Sequence, residues 1–191
     1  MKFDYYLVYK PYGMLSQFTG EKSDALLGDL FNFPKDVYPV GRLDKDSEGL
    51  LILTNDNQFK THLLDPSKKI SKTYWVQVDG EITPDAIQQL SSGEITIKHN
   101  GKDHRVAKAK CKKLIPSPPV PERSVPVRFR KNIPTSWIEI SITEGKNRQV
   151  RKMTAAAGFP TLRLIRVGIG NYSLAHYDSG TVVKINPEMI L

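Results

Sequence analysis

Between residues 39 and 56 the sequence reads PVGRLDKDSEGLLILTND, with carboxylates at Asp44, Asp46 and Glu48. A glycine and an aliphatic run, 50–53, follow at once. Three chemistries can begin this way: a calcium loop, an aspartyl phosphotransfer nucleophile, or one reactive carboxylate on a turn in front of a buried strand.

Calcium fits poorly. Asp44, Asp46, Glu48 and Gly49 fall on the first, third, fifth and sixth positions of an EF-hand loop, but its twelfth position is Asn55, where a bidentate Glu is needed. Pro34 and Pro39 also break the helix that must precede such a loop. A phosphotransfer nucleophile of the haloacid dehalogenase type sits at the end of a buried strand, whereas here the aliphatic run comes after the acids. The third reading places Gly41 at a tight turn, Arg42 two residues before Asp44, and Asp44 ahead of a rigid strand. Asp46, Ser47 and Glu48 then read as turn and rim residues. Acidic turns are common, so on these residues alone Asp44 reads equally as an ordinary turn or cap carboxylate.

The elements that would hold this loop follow from periodicity and caps. FDYYLVY is expected to be a strand and KPYG a turn. Residues 23–33 fit a short helix capped by Ser23 or Asp24. LLILT lacks alternation, which implies a strand covered on both faces. Asn55 or Asp56 can cap a helix running through His62 and Leu64. KTYWVQVDG alternates as a strand, and residues 83–93 form a helix with Thr83 as cap, Pro84 first and Gly93 after its end. Short strands are expected around 94–98 and 107–115, then a strand over 136–143, a helix over 147–158 and a strand over 160–170. The five prolines within 116–126 leave only an extended connection. Mixed strands and helices with short connections indicate an α+β fold.

Composition narrows the function classes. The chain has 191 residues and a formal net charge of +8. The charge is uneven: residues 98–131 hold 11 Lys and Arg against 2 acidic residues, a net of +9, while residues 1–97 are net −4. A concentrated basic stretch suits a polyanion, nucleic acid above all, although a solvated basic surface has the same composition. No apolar run approaches the length of a membrane helix, and the N-terminus does not read as a secretory signal. Cys111 is the only cysteine, so an internal disulfide is excluded, and no Cys/His cluster has zinc spacing. A reducing, cytoplasmic setting is expected.

GRLDKDSEGLLILTND, KTYWVQV and EGKNRQVRKM, in this order, resemble the pseudouridine synthase family in its branch that acts on ribosomal RNA. Within that branch the likeness is closest to the E-type synthases, and it runs from about Tyr6 to Leu174. It implies a single catalytic domain over 1–191, with no separate N-terminal RNA-binding module. The implied fold is a mixed, mainly antiparallel sheet with flanking helices, in two lobes around a cleft. The implied reaction isomerises a uridine already within the RNA, preferentially large-subunit rRNA, with no cofactor and no metal, by a monomer.

The resemblance also assigns residues. Asp44 matches the catalytic aspartate, Tyr74 the tyrosine that stacks on the uracil, and Arg151 the arginine that pairs with the aspartate. Such a pairing answers a physical need, because burial raises a carboxylate's pKa and a neighbouring cation lowers it. Arg42, Val150 and Leu164 are the expected substrate contacts. Lys72, Lys108, Lys110, Lys112, Lys113, Arg148, Lys152 and Arg166 are the expected RNA contacts. Each residue has an ordinary alternative: Tyr74, Val150 and Leu164 as plain core, and the cations as solvated surface.

Overall fold

The computed structural model describes residues 3–127, 133–174 and 177–186. Arg128, Arg130 and Lys131, part of the basic stretch, lie outside them. In chain order the elements are β1 (Tyr5–Lys10), β2 (Tyr38–Pro39), β3 (Glu48–Thr54), α1 (Asn57–Leu64), β4 (Lys72–Asp79), α2 (Pro84–Ser92) and β5 (Thr96–His99). They continue with β6 (Lys102–Arg105), β7 (Lys110–Lys113), β8 (Thr135–Ile142), α3 (Gln149–Ala156), β9 (Thr161–Ile169), β10 (Tyr172–Ser173) and β11 (Val182–Lys184). The result is an α+β fold with mainly antiparallel pairing and few helices.

The chain divides into two compact units. The first comprises Met1–Ile70, Arg123–Val125 and Ile165–Leu191. Within it β1 lies between β11 and β3 and is antiparallel to both. β3 pairs in parallel with β9 at Glu48↔Ile165 and Gly49↔Arg166. Every residue of β1 and of β3 is buried, which accounts for the lack of alternation in LLILT. Tyr6, Val8, Leu51 and Leu53 pack there with Met14, Leu27 and Val37. α1 begins as anticipated: the Asp56 carboxylate accepts from the Gln58 and Phe59 N–H groups.

The second unit comprises Ser71–Glu122 and Pro126–Leu164. Its β8 lies between β4 and β7, antiparallel to each, and β5 and β6 form a separate hairpin. Val76, Val78, Ile138, Ile140, Val150, Met153 and Leu164 form its core with residues from α2. Thr83 caps α2 through the Ala86 N–H, Pro84 is its first residue, and Gly93 ends it with φ +75°.

Three expectations are corrected. Residues 23–33 contain only a single 3-10 turn, Leu27–Asp29. Ala25 forms a parallel bridge with Met14, and Leu26 is extended, so the chain is committed elsewhere before a helix can start. The Asp24 carboxylate does not cap it: it accepts from the Glu21 N–H and pairs with Lys45. The hairpin strand β6 was not anticipated. α3 starts at Gln149, two residues late, because Arg148 is left-handed at φ +52° and stands outside the helix.

Candidate active site

The Asp44 loop belongs to the first unit. Gly41 has φ +72°, a conformation that favours glycine. Leu43 is gripped at both backbone groups by Ser16, whose hydroxyl donates to the Leu43 carbonyl (2.8 Å) and accepts from the Leu43 N–H (3.0 Å). The Gly13 N–H donates to the Lys45 carbonyl at 2.8 Å, and the Ser47 N–H donates to the Asp44 carbonyl at 3.0 Å. The backbone on both sides of Asp44 is therefore fixed by the segment that follows β1. Arg42 is exposed and donates to the Gln17 side-chain carbonyl at 2.8 Å.

Directly after the loop the chain enters the core. Glu48 is only 2% exposed and Ser47 1%, so these two are not rim residues as expected. β3 takes Glu48 into its pairing with β9, and the strand is covered on both faces. Gly49 has φ +105°, and a Cβ there would run into the Arg166 backbone. No other residue type fits that crossing.

Lys10 is the first-unit residue that the sequence did not single out; it read as the start of a turn. Its side chain is fully buried, and its ammonium donates to the carbonyls of Met14 (2.7 Å) and Pro11 (3.0 Å). Burial pushes its pKa down to about 8, against the opposing pull of Glu48, Asp46 and Asp44, and Arg166 pushes it further down. Lys10 thus lies in the field of all three loop carboxylates. A lysine at the end of a fully buried strand, followed by Pro and Gly, was the available signal. Arg166, expected to contact RNA, is itself buried; its Nε–H donates to the Leu50 carbonyl at 2.8 Å.

The second unit holds the other candidates. Tyr74 lies opposite Ile140 and packs, half-buried, against the core cluster that contains Val150 and Leu164. Lys72 lies on the same strand face, opposite Ile142 at one end of β4. α3 buries Gln149, Val150, Met153 and Thr154, leaving Arg151 and Lys152 partly exposed. Lys152 donates to the Lys98 carbonyl at 2.8 Å and so holds the β5–β6 hairpin, while Arg148 is exposed.

Of the four lysines near β7, Lys108 and Lys110 are exposed. Lys112 pairs with Glu139 at 3.0 Å, and Lys113 pairs with Glu81. The positive charge of this stretch is therefore partly neutralised. Burial pushes the Cys111 thiol up to about 12, the opposite of what a nucleophilic thiol needs. Among the described residues, no group of His, Cys, Asp and Glu could hold a metal ion, and no helix is long and apolar enough to cross a membrane.

Known proteins resemble this chain. The family described as RNA pseudouridylate synthase matches residues 4–156. The "Ribosomal large subunit pseudouridine synthase E" of Xanthomonas axonopodis pv. citri is 48% identical over 170 residues, 88% of this chain and 86% of the relative. The protein of the same name from Vibrio parahaemolyticus is 48% identical over 171 residues, covering 90% and 69%. "Ribosomal large subunit pseudouridine synthase B" of Bacillus subtilis is 34% identical over 187 residues, covering 97% and 69%. Among solved structures, a pseudouridylate synthase superposes with a TM-score of 0.78 at 22% identity over all of this chain and 74% of its own, a likeness of fold. The family model over residues 4–156, together with a relative 48% identical over 88% of this chain, places this chain in the RNA pseudouridylate synthase family.

Proposed function

We propose that this chain isomerises a specific uridine to pseudouridine within large-subunit ribosomal RNA, with Asp44 as the reacting carboxylate. The observation that carries the reading is the Asp44 loop: its backbone is fixed on both sides by Ser16, Gly13 and Ser47, and it leads into a buried strand. The relatives with nearly half their residues in common bear the name of that activity. The target uridine leaves its stack to reach the carboxylate. The glycosidic N1–C1′ bond breaks, the uracil turns over, and C5 bonds to C1′. The C5 hydrogen leaves as a proton and N1 gains one, so no redox partner, group donor, cofactor or metal takes part.

Tyr74 is proposed to stack on the uracil, and Val150 and Leu164 to supply its apolar surroundings. Arg151 is proposed as a catalytic residue, and Arg42 as a substrate contact. Lys72, Lys108, Lys110, Arg148 and Lys152 contribute to RNA capture, which weakens with salt as counterions are released from phosphates. Lys112 and Lys113 contribute less, being paired with Glu139 and Glu81. Arg166 acts from within the fold rather than on phosphate, since its guanidinium is buried. The enzyme works as a cytoplasmic monomer.

The test is tritium release from large-subunit rRNA labelled at uracil C5. Release by the parent chain, together with one new pseudouridine in the mapped rRNA, supports the reading. Binding of rRNA without release would make the chain a non-catalytic RNA binder and overturn it.

A further inference from the structure

α3 carries Val150 and Arg151, yet its start lacks the usual support. No side chain caps it, and the residue before it, Arg148, has φ +52°. The turn before it is held from within instead. The Gln149 side-chain carbonyl accepts from the Lys146 N–H (3.0 Å), while the Gln149 N–H donates to the Lys146 carbonyl (3.1 Å). Gln149 is in turn fixed by Glu144: its side-chain N–H donates to Glu144 Oε1 at 3.3 Å.

Glu144 gathers two further donors. The Ala107 N–H donates to Oε1, and His104 Nε2–H donates to Oε2 at 2.6 Å. Its side chain is 16% exposed. Burial alone would push its carboxyl up, but the Ala107, His104 and Gln149 donors outweigh that and hold it below the usual range. One carboxylate thus ties the segment after β6, the exit of β8 and the first residue of α3 together.

We infer that Glu144 is a positioning residue of the reaction: it sets the turn over 143–149 and so the direction in which α3 presents Arg151. It touches no substrate and acts through Gln149. The catalytic part of the inference rests on the proposed isomerisation; the structural part does not.

The experiment compares Glu144→Ala and Glu144→Gln in single-turnover tritium release, rRNA binding and hydrogen exchange. Glu144→Ala should lower the turnover rate about 30-fold, as misplaced catalytic groups do, with rRNA affinity within about threefold. Peptides covering 143–153 should exchange about tenfold faster, while β3 peptides are unchanged. Glu144→Gln keeps a side-chain acceptor of the same length and should recover turnover to within about threefold of the parent. If Glu144→Ala does not fold, His104→Ala, which removes one donor, should give the same local exchange change in smaller degree. Unchanged turnover and unchanged exchange would overturn the inference. So would a loss of turnover that only tracks global unfolding. If the parent releases no tritium, the isomerisation reading falls, and exchange alone decides: acceleration confined to 143–153 supports Glu144 as the organiser of α3, and none overturns it.

Discussion

The Asp44 loop and the start of α3 face the same problem and solve it differently. Each must present one charged side chain on a stretch with little regular structure. The Asp44 loop is held through its own backbone groups, at Leu43 by the Ser16 hydroxyl, at Lys45 by the Gly13 N–H and at Asp44 by the Ser47 N–H, and it ends at buried Glu48. The start of α3 is held through one side chain, Glu144, which accepts from Gln149 nearby and from His104 and the Ala107 N–H, both distant in sequence. Backbone clamps tolerate many side-chain changes but few changes of backbone. A side-chain hub reverses that sensitivity.

The strongest way to break this contrast is Gly49→Val. A Cβ at φ +105° against the Arg166 backbone should cost about 4 kcal/mol or more and leave little folded protein, measured by urea unfolding. Near-parental stability would mean that the β3–β9 crossing is not tight. Next comes Glu48→Gln. It leaves the Lys10 ammonium buried with less compensation and should destabilise by about 3 kcal/mol, whereas Asp46→Asn should stay within about 1 kcal/mol. Equal effects would return Glu48 to the rim.

On the α3 side, Arg151→Met should slow turnover about 100-fold, roughly 2.7 kcal/mol, while rRNA affinity changes little. Arg148→Met, at an exposed position, should do the reverse. Matching losses of affinity in both variants would make Arg151 a phosphate ligand. A smaller effect concerns RNA capture. Neutralising Lys108 and Lys110 should lower the slope of log affinity against log salt by about 0.7 for each phosphate left without its cation. Neutralising Lys112 and Lys113 should change it less, because Glu139 and Glu81 already balance them.

A separate test is a pH signature of Lys10. Its folded pKa, about 8, lies below the ordinary value of 10.5. Between those two pH values the unfolded chain therefore binds more protons, and stability from this group rises with pH. The stability of the parent relative to Lys10→Met should climb as pH goes from 8 to 10.5. A flat difference would mean that burial does not lower the Lys10 pKa.

What the sequence made legible was local. Thr83, Pro84 and Gly93 bound α2, and Asp56 starts α1, because caps are decided by neighbouring residues. The unbroken aliphatic run of β3 declared its burial on both faces. What stayed hidden depends on distant partners. Ser23 and Asp24 looked like a helix start, but Met14 and Lys45 had claimed that stretch. DKDSEG looked like a polar turn throughout, yet pairing with β9 and the nearness of Lys10 take Glu48 into the core. Arg148 looked helical, and nothing local announces its left-handed backbone. Glu144 sits in a quoted motif, but its role appears only once His104 and Ala107, about 40 residues earlier, are seen beside it.

Asp44 is proposed as the reacting carboxylate, presented by a loop whose backbone is pinned on both sides. Asp44→Asn keeps the side-chain shape and every backbone hydrogen bond of the loop. Tritium release from C5-labelled rRNA should then fall to the uncatalysed level, with thermal unfolding and rRNA affinity close to those of the parent. Turnover near the parental rate by a folded, RNA-binding Asp44→Asn chain would show that Asp44 is not the reacting carboxylate.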